Sequence, residues 1–216
     1  MSCSEIINIC VSVVSIFIAL LALFQTKRQI TLSNKQQLFD RRLARYLELN
    51  TIYALYVKNE LYLKDDNTFY HSNDLVFLWL TNCSDLEEMT LALYKPLHQE
   101  EQKVLFAKYE QLKNAAIEIS MIFDGSVAKI AEDFIASYAD LLKAMYQQQV
   151  YISKLKEQNE KTPLMLDDYE NKCKKMAEGL GLFQMRENLK SLADEIVKKR
   201  IIEKMEDSLR LTKVKR

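Results

Sequence analysis

The chain has 216 residues, 28% of them charged and 49% apolar, and its 30 basic and 30 acidic side chains balance to a net charge of zero. Three glycines and two prolines are too few for the turns that an all-β or α/β fold of this length requires. No domain carries the strong basic excess that nucleic-acid binding demands, and the four cysteines show no C-x-x-C spacing and read as free thiols.

The first predicted element is Ile6–Phe24, IINICVSVVSIFIALLALF, nineteen residues without a charge, glycine or proline. At 1.5 Å per residue such a helix covers roughly the 30 Å hydrocarbon core of a bilayer. A cleaved signal sequence would begin on basic residues and end on small ones. Here Glu5 is the only charge ahead of the segment and no A-x-A site follows, so the expectation is an uncleaved transmembrane helix, residues 6–24. Lys27, Arg28, Lys35, Arg41, Arg42 and Arg45 follow it closely and nothing basic precedes it. The positive-inside rule then places residues 1–5 outside and residues 25–216 in the cytoplasm. The same flank suits an anionic inner leaflet, at about 1 kcal/mol per well-placed basic residue. Asn8, Ser12, Ser15, Ala19 and Ala22 recur at steps of four and three. Small, weakly polar residues on one face let transmembrane helices approach closely, which makes this face a candidate for self-association and the chain a candidate homo-oligomer.

From Lys27 to about Leu63 nothing breaks a helix, and Leu38, Phe39, Leu43, Tyr46, Leu47, Tyr53 and Val57 supply an apolar face. The prediction is a stalk helix continuous with the span. Lys64–Asn73 reads as a turn, Asp74–Leu80 as a short apolar helix, and Ser84 with Glu87 as a capping box opening a helix that stops before Pro96. A longer helix over about 97–123 follows. Asp124-Gly125-Ser126 breaks it, and near-heptad spacing of Val127, Ile130 (or Ala131), Phe134, Tyr138, Leu141, Met145 and Ile152 predicts a coiled-coil-like helix to about Gln158. Pro163 closes that helix, a shorter one runs over 164–178, and Gly179-Leu180-Gly181 stops it. Met185, Leu189, Leu192, Ile196, Ile201 and Met205 mark one final amphipathic helix. The expected fold is all-α: a transmembrane helix continuing into a long stalk and an elongated antiparallel helical bundle.

Two stretches carry a family resemblance. SNKQQLFDRRLARYLEL, Ser33–Leu49, is similar to the F-D-[RK]-R-[LF]-x-x-Y helix found after the N-terminal span in a group of small bacterial single-pass membrane proteins. ISMIFDGSVAKIAEDFIASYADLL, Ile119–Leu142, resembles that group's second signature, an apolar helix end, F-[DG], and a tyrosine-bearing helix. The residues concerned are Phe39, Asp40, Arg42, Tyr46, Phe123 and Asp124. The resemblance implies single-pass topology in a bacterial inner (plasma) membrane, and no activity. On the residues alone, Arg42 has no acidic residue at i±3 or i±4 and lies beside the apolar face. It is therefore expected either to reach an acidic group on another helix, with Asp124 as one candidate, or to extend into solvent from the stalk.

Chemistry-bearing patterns are weak. His98 and Glu101 have H-x-x-E spacing without further ligands, Gly179-x-Gly181 lacks the rest of a phosphate-binding loop, and no nucleophile or kinase signature occurs. Acidic doublets such as Glu100-Glu101 and Asp167-Asp168 suit helix starts. The expectation is a protein with no cofactor, metal or catalytic residue, whose work is interaction with the bilayer, with copies of itself and with a cytosolic protein. A membrane-disrupting effector of a phage-defence or toxin system is the alternative.

Overall fold

The computed structural model describes residues 3–64 and 99–209, and for residues 3, 5–12, 59, 61–64, 99 and 101 the description stops at the backbone. The predicted features from 65 to 98, namely the polar turn, the Asp74–Leu80 helix, the capping box, Pro96 and both histidines, lie outside the described residues. Those described form six α-helices and no strand: α1 (Cys3–Lys64), α2 (Gln99–Ile122), α3 (Gly125–Lys161), α4 (Leu166–Gly179), α5 (Leu182–Lys198) and α6 (Ile201–Leu209). The fold is all-α, as composition requires.

Helix boundaries follow the breakers. No glycine or proline occurs between Cys3 and Lys64, and α1 runs unbroken over 62 residues. Gly125 takes φ 63° between α2 and α3, and Gly181 takes φ 68° between α4 and α5. Both are left-handed conformations that cost an L side chain about 1–2 kcal/mol. At the end of α3, the Leu164 amide donates to Asn159 Oδ1 at 2.6 Å, folding the chain back ahead of α4. One boundary departs from expectation. The predicted final helix is two, because Arg200 adopts φ 54° between α5 and α6.

Two compact units result, Met1–Arg41 and Arg42–Arg216. The first consists of the N-terminal two-thirds of α1. In the second, contacts set the helix directions. Arg42 meets Ile122 and Arg45 meets Glu118, so α1 and α2 are antiparallel. Tyr109 meets Asp140 and Phe106 meets Tyr146, so α2 and α3 are antiparallel as well. Gln148 meets Cys173 and Asn188 meets Ser137, so α4 and α5 return along α3.

The central helix is α3. Sixteen of its 37 residues are buried, an arc wider than the two-position seam of a coiled coil. Ile135, Ala139 and Leu142 are buried beside the predicted heptad positions Phe134, Tyr138 and Leu141, because α3 is packed on several sides. Leu49, Ile52, Leu55 and Tyr56 of α1, Leu105, Leu112 and Ile119 of α2, Leu189 and Ile196 of α5, and Ile201 and Met205 of α6 complete one core. Phe134 sits at its centre, with the Tyr53, Tyr56 and Tyr138 ring centroids 6.0, 5.9 and 6.4 Å away. A second, small cluster of Ile152, Leu155 and Cys173 lies where α3 meets α4.

Candidate functional site: an exposed apolar segment and an arginine junction

The first unit presents an unusual surface. From Val13 to Phe24 every side chain is exposed, and Val13, Ile16, Phe17, Leu20, Leu23 and Phe24 are each 59–69% accessible. Ile30 and Leu32 continue it. These residues occupy all faces of α1, so no single groove of a protein partner would cover them. The helix is long and apolar enough to cross a membrane. Of the predicted self-association stripe, Ser15, Ala19 and Ala22 are exposed, while the side chains of Asn8 and Ser12 are outside those described.

The basic flank divides. Lys27, Arg28, Lys35 and Arg41 are exposed, as is Asp40, whereas Arg42 and Arg45 are half-buried within the second unit. Arg42 Nε donates to the carbonyl of Ile122 at 2.7 Å, and its guanidinium lies 5.7 Å from the centre of the Phe123 ring. Its expected cross-helix reach is real, but the acceptor is a main-chain carbonyl and not the Asp124 carboxylate. Ile122 is the last residue of α2, where carbonyls lack intrahelical partners and carry the negative end of the helix dipole. A cation finds its complement there without any acidic side chain. Asp124 is exposed and precedes α3 in an extended conformation (φ −110°, ψ 150°) without a side-chain capping bond.

The acidic partner across helices belongs to Arg45. Its Nε lies 3.2 Å from Glu118 Oε2 on α2, and its Nη1 also bonds Glu48 one turn along α1. Phe39 is half-buried, Tyr46 packs on the main core, and Phe123 is buried under Arg42. The two signature-like stretches, Ser33–Leu49 and Ile119–Leu142, thus meet where Arg42 touches Ile122 and Phe123, and Arg45 reaches Glu118 just ahead of the second stretch.

Three polar features of the second unit have no counterpart in the sequence reading. Asp140 accepts from the Tyr109 hydroxyl at 2.9 Å and from Lys113 Nζ at 3.0 Å. Lys113 and Lys143 flank the Tyr109 ring at 5.9 and 5.0 Å. Burial, then the hydrogen bond and charge of Asp140, raise the Tyr109 hydroxyl above its ordinary pKa. At the α3–α4 contact, fully buried Gln148 donates to the carbonyl of Cys173 at 3.0 Å. Burial raises the Cys173 thiol above its usual value, against the opposing effects of Tyr169 and Lys156, and the residue is only 3% exposed. The bonds to Asp140 and from Gln148 join different helices, and local spacing carries no signal for them.

Among the described residues, no group of three or more His, Cys, Asp or Glu side chains is placed to hold a metal ion. Comparison with protein-family models, with curated proteins and with solved structures finds no match.

Proposed function

We propose that the chain is a membrane-anchored helical interaction protein. It would be fixed in a bacterial plasma membrane by Ile6–Phe24, with the basic flank on the cytoplasmic side and the helical bundle free to bind a cytosolic protein. The observation that carries this reading is the exposure of the Val13–Phe24 side chains on every face of α1. Nine large apolar side chains in that stretch are 49–69% exposed. At about 1 kcal/mol each for the part that hydrocarbon would cover, transfer to a bilayer gains on the order of 10 kcal/mol. That is comparable to the whole stability of a folded domain, about 5–15 kcal/mol, so leaving such a surface in water is costly.

Self-association through Asn8, Ser12, Ser15, Ala19 and Ala22 is the second part of the proposal, supported by their spacing and by the exposure of the last three. In-membrane crosslinking of the full chain should give discrete oligomers, and Ser12→Leu with Ser15→Leu should reduce them severalfold. Unchanged crosslinking would remove the stripe from the account. Induction of the full chain should leave membrane potential intact. Depolarisation that requires Ile6–Phe24 would replace the scaffold by the disruptive alternative.

A further inference from the structure

A cleft of about 340 Å³ opens where α2, the middle of α3 and the end of α4 come together. Phe106, Val150, Met176 and Leu180 give it apolar walls, and Gln102, Gln147 and Lys143 line the rest. Phe106 remains 42% exposed although its ring packs edge-on against Tyr146, with centroids 6.2 Å apart.

Lys143 is the unusual member. The nearby carboxylate, Asp140, is already engaged by Lys113 Nζ at 3.0 Å and by the Tyr109 hydroxyl. Lys143 Nζ contacts the Tyr109 ring at 5.0 Å and forms no ion pair among the described residues. A lysine beside an aromatic face and an apolar cleft, with no carboxylate paired to it among the described residues, suits an anion that brings an apolar tail. Taking a methylene as close to the roughly 30 Å³ of one water, the cleft holds about eleven heavy atoms.

We propose that this cleft binds a single-chain carboxylate of about eight to ten carbons. The carboxylate pairs with Lys143 and the chain lies along Phe106, Val150, Met176 and Leu180. Lys143 selects the anion, and the apolar lining selects the chain over a small carboxylate such as acetate.

Methionine methyl NMR on the full chain in nanodiscs reads the site directly, because Met176 lines it while Met121 and Met165 are 77% and 79% exposed elsewhere. Octanoate should shift the Met176 methyl saturably and leave Met121 and Met165 unmoved. Lys143→Gln should weaken binding at least fivefold, and Val150→Trp, which fills the cleft, should abolish it. Octylammonium and acetate should each bind at least tenfold more weakly than octanoate. Equal binding of octylammonium, unchanged affinity in Lys143→Gln, or equal shifts at all three methyls would overturn the proposal. A leucine-terminated dipeptide binding tighter than octanoate would also overturn it, assigning the cleft to a protein C-terminus.

Discussion

Replacing Arg42 by alanine isolates the junction between the two signature-like stretches. The substitution removes a charged donor 2.7 Å from the Ile122 carbonyl and a guanidinium 5.7 Å from the Phe123 ring. A hydrogen bond from a charged donor contributes about 1.5–3 kcal/mol, and a partly exposed cation–π contact about 0.5–1 kcal/mol. Arg42 is only half-buried, so water re-solvates part of the freed carbonyl and the lower end of the range applies. Arg42→Ala should therefore cost about 2 kcal/mol, or roughly 4–8 °C in Tm for a chain of this size. Arg42→Lys should fall between, since an ammonium keeps the charge but cannot both bond the carbonyl and cover the ring. Asp124→Asn should cost under about 0.5 kcal/mol, because the Asp124 side chain makes no capping bond. The assay is thermal unfolding of the full chain in mild detergent, followed by near-ultraviolet circular dichroism of the tyrosines around Phe134. A loss below about 0.5 kcal/mol in Arg42→Ala, or an equal loss in Asp124→Asn, would refute the assignment of the carbonyl as the acceptor.

Other expectations follow from the same contacts. Phe134→Ala removes a fully buried ring at the centre of the core and should cost about 3–5 kcal/mol in the same melt. Gly181→Ala meets no steric neighbour but forces an L residue to φ 68°, so it should cost about 1 kcal/mol. Gly179→Ala, inside the last turn of α4 with open space around it, should instead gain up to about 1 kcal/mol. Burial first, then the charges of Glu60 and Asp194, push the Tyr56 hydroxyl up to about 12 from 10.0. Because the folded pKa lies above the unfolded one, its stabilisation is complete below pH 10 and is lost as pH rises from 10 towards 12. Tyrosinate absorbance should show a late-titrating fraction that Tyr56→Phe removes.

Breakers and apolar runs made much of the fold readable. Gly125, Pro163, Gly179 and Gly181 each lie at or beside a helix junction, and the unbroken run from Cys3 to Lys64 is one helix. The break at Arg200 escaped because Lys198, Lys199 and Arg200 are good helix formers. A signal was present in the five-residue step from Ile196 to Ile201. That step rotates the apolar stripe off one face, and the left-handed Arg200 resets it. For Arg42, missing local partners revealed the need for a distant acceptor. They could not say which, since a helix-end carbonyl has no side-chain signature. The Tyr109–Lys113–Asp140 cluster and the Gln148 bond to Cys173 arise only once α2 and α4 lie against α3.

The central claim, anchoring through the exposed apolar segment, is tested most directly by alkaline extraction of membranes from cells making the full chain or a version lacking residues 6–24. Anchoring predicts that the full chain stays in the membrane pellet through alkali and high salt, and that the deleted version is found in the supernatant with its helical content intact. Release of the full chain by alkali, or retention of the deleted version, would contradict it.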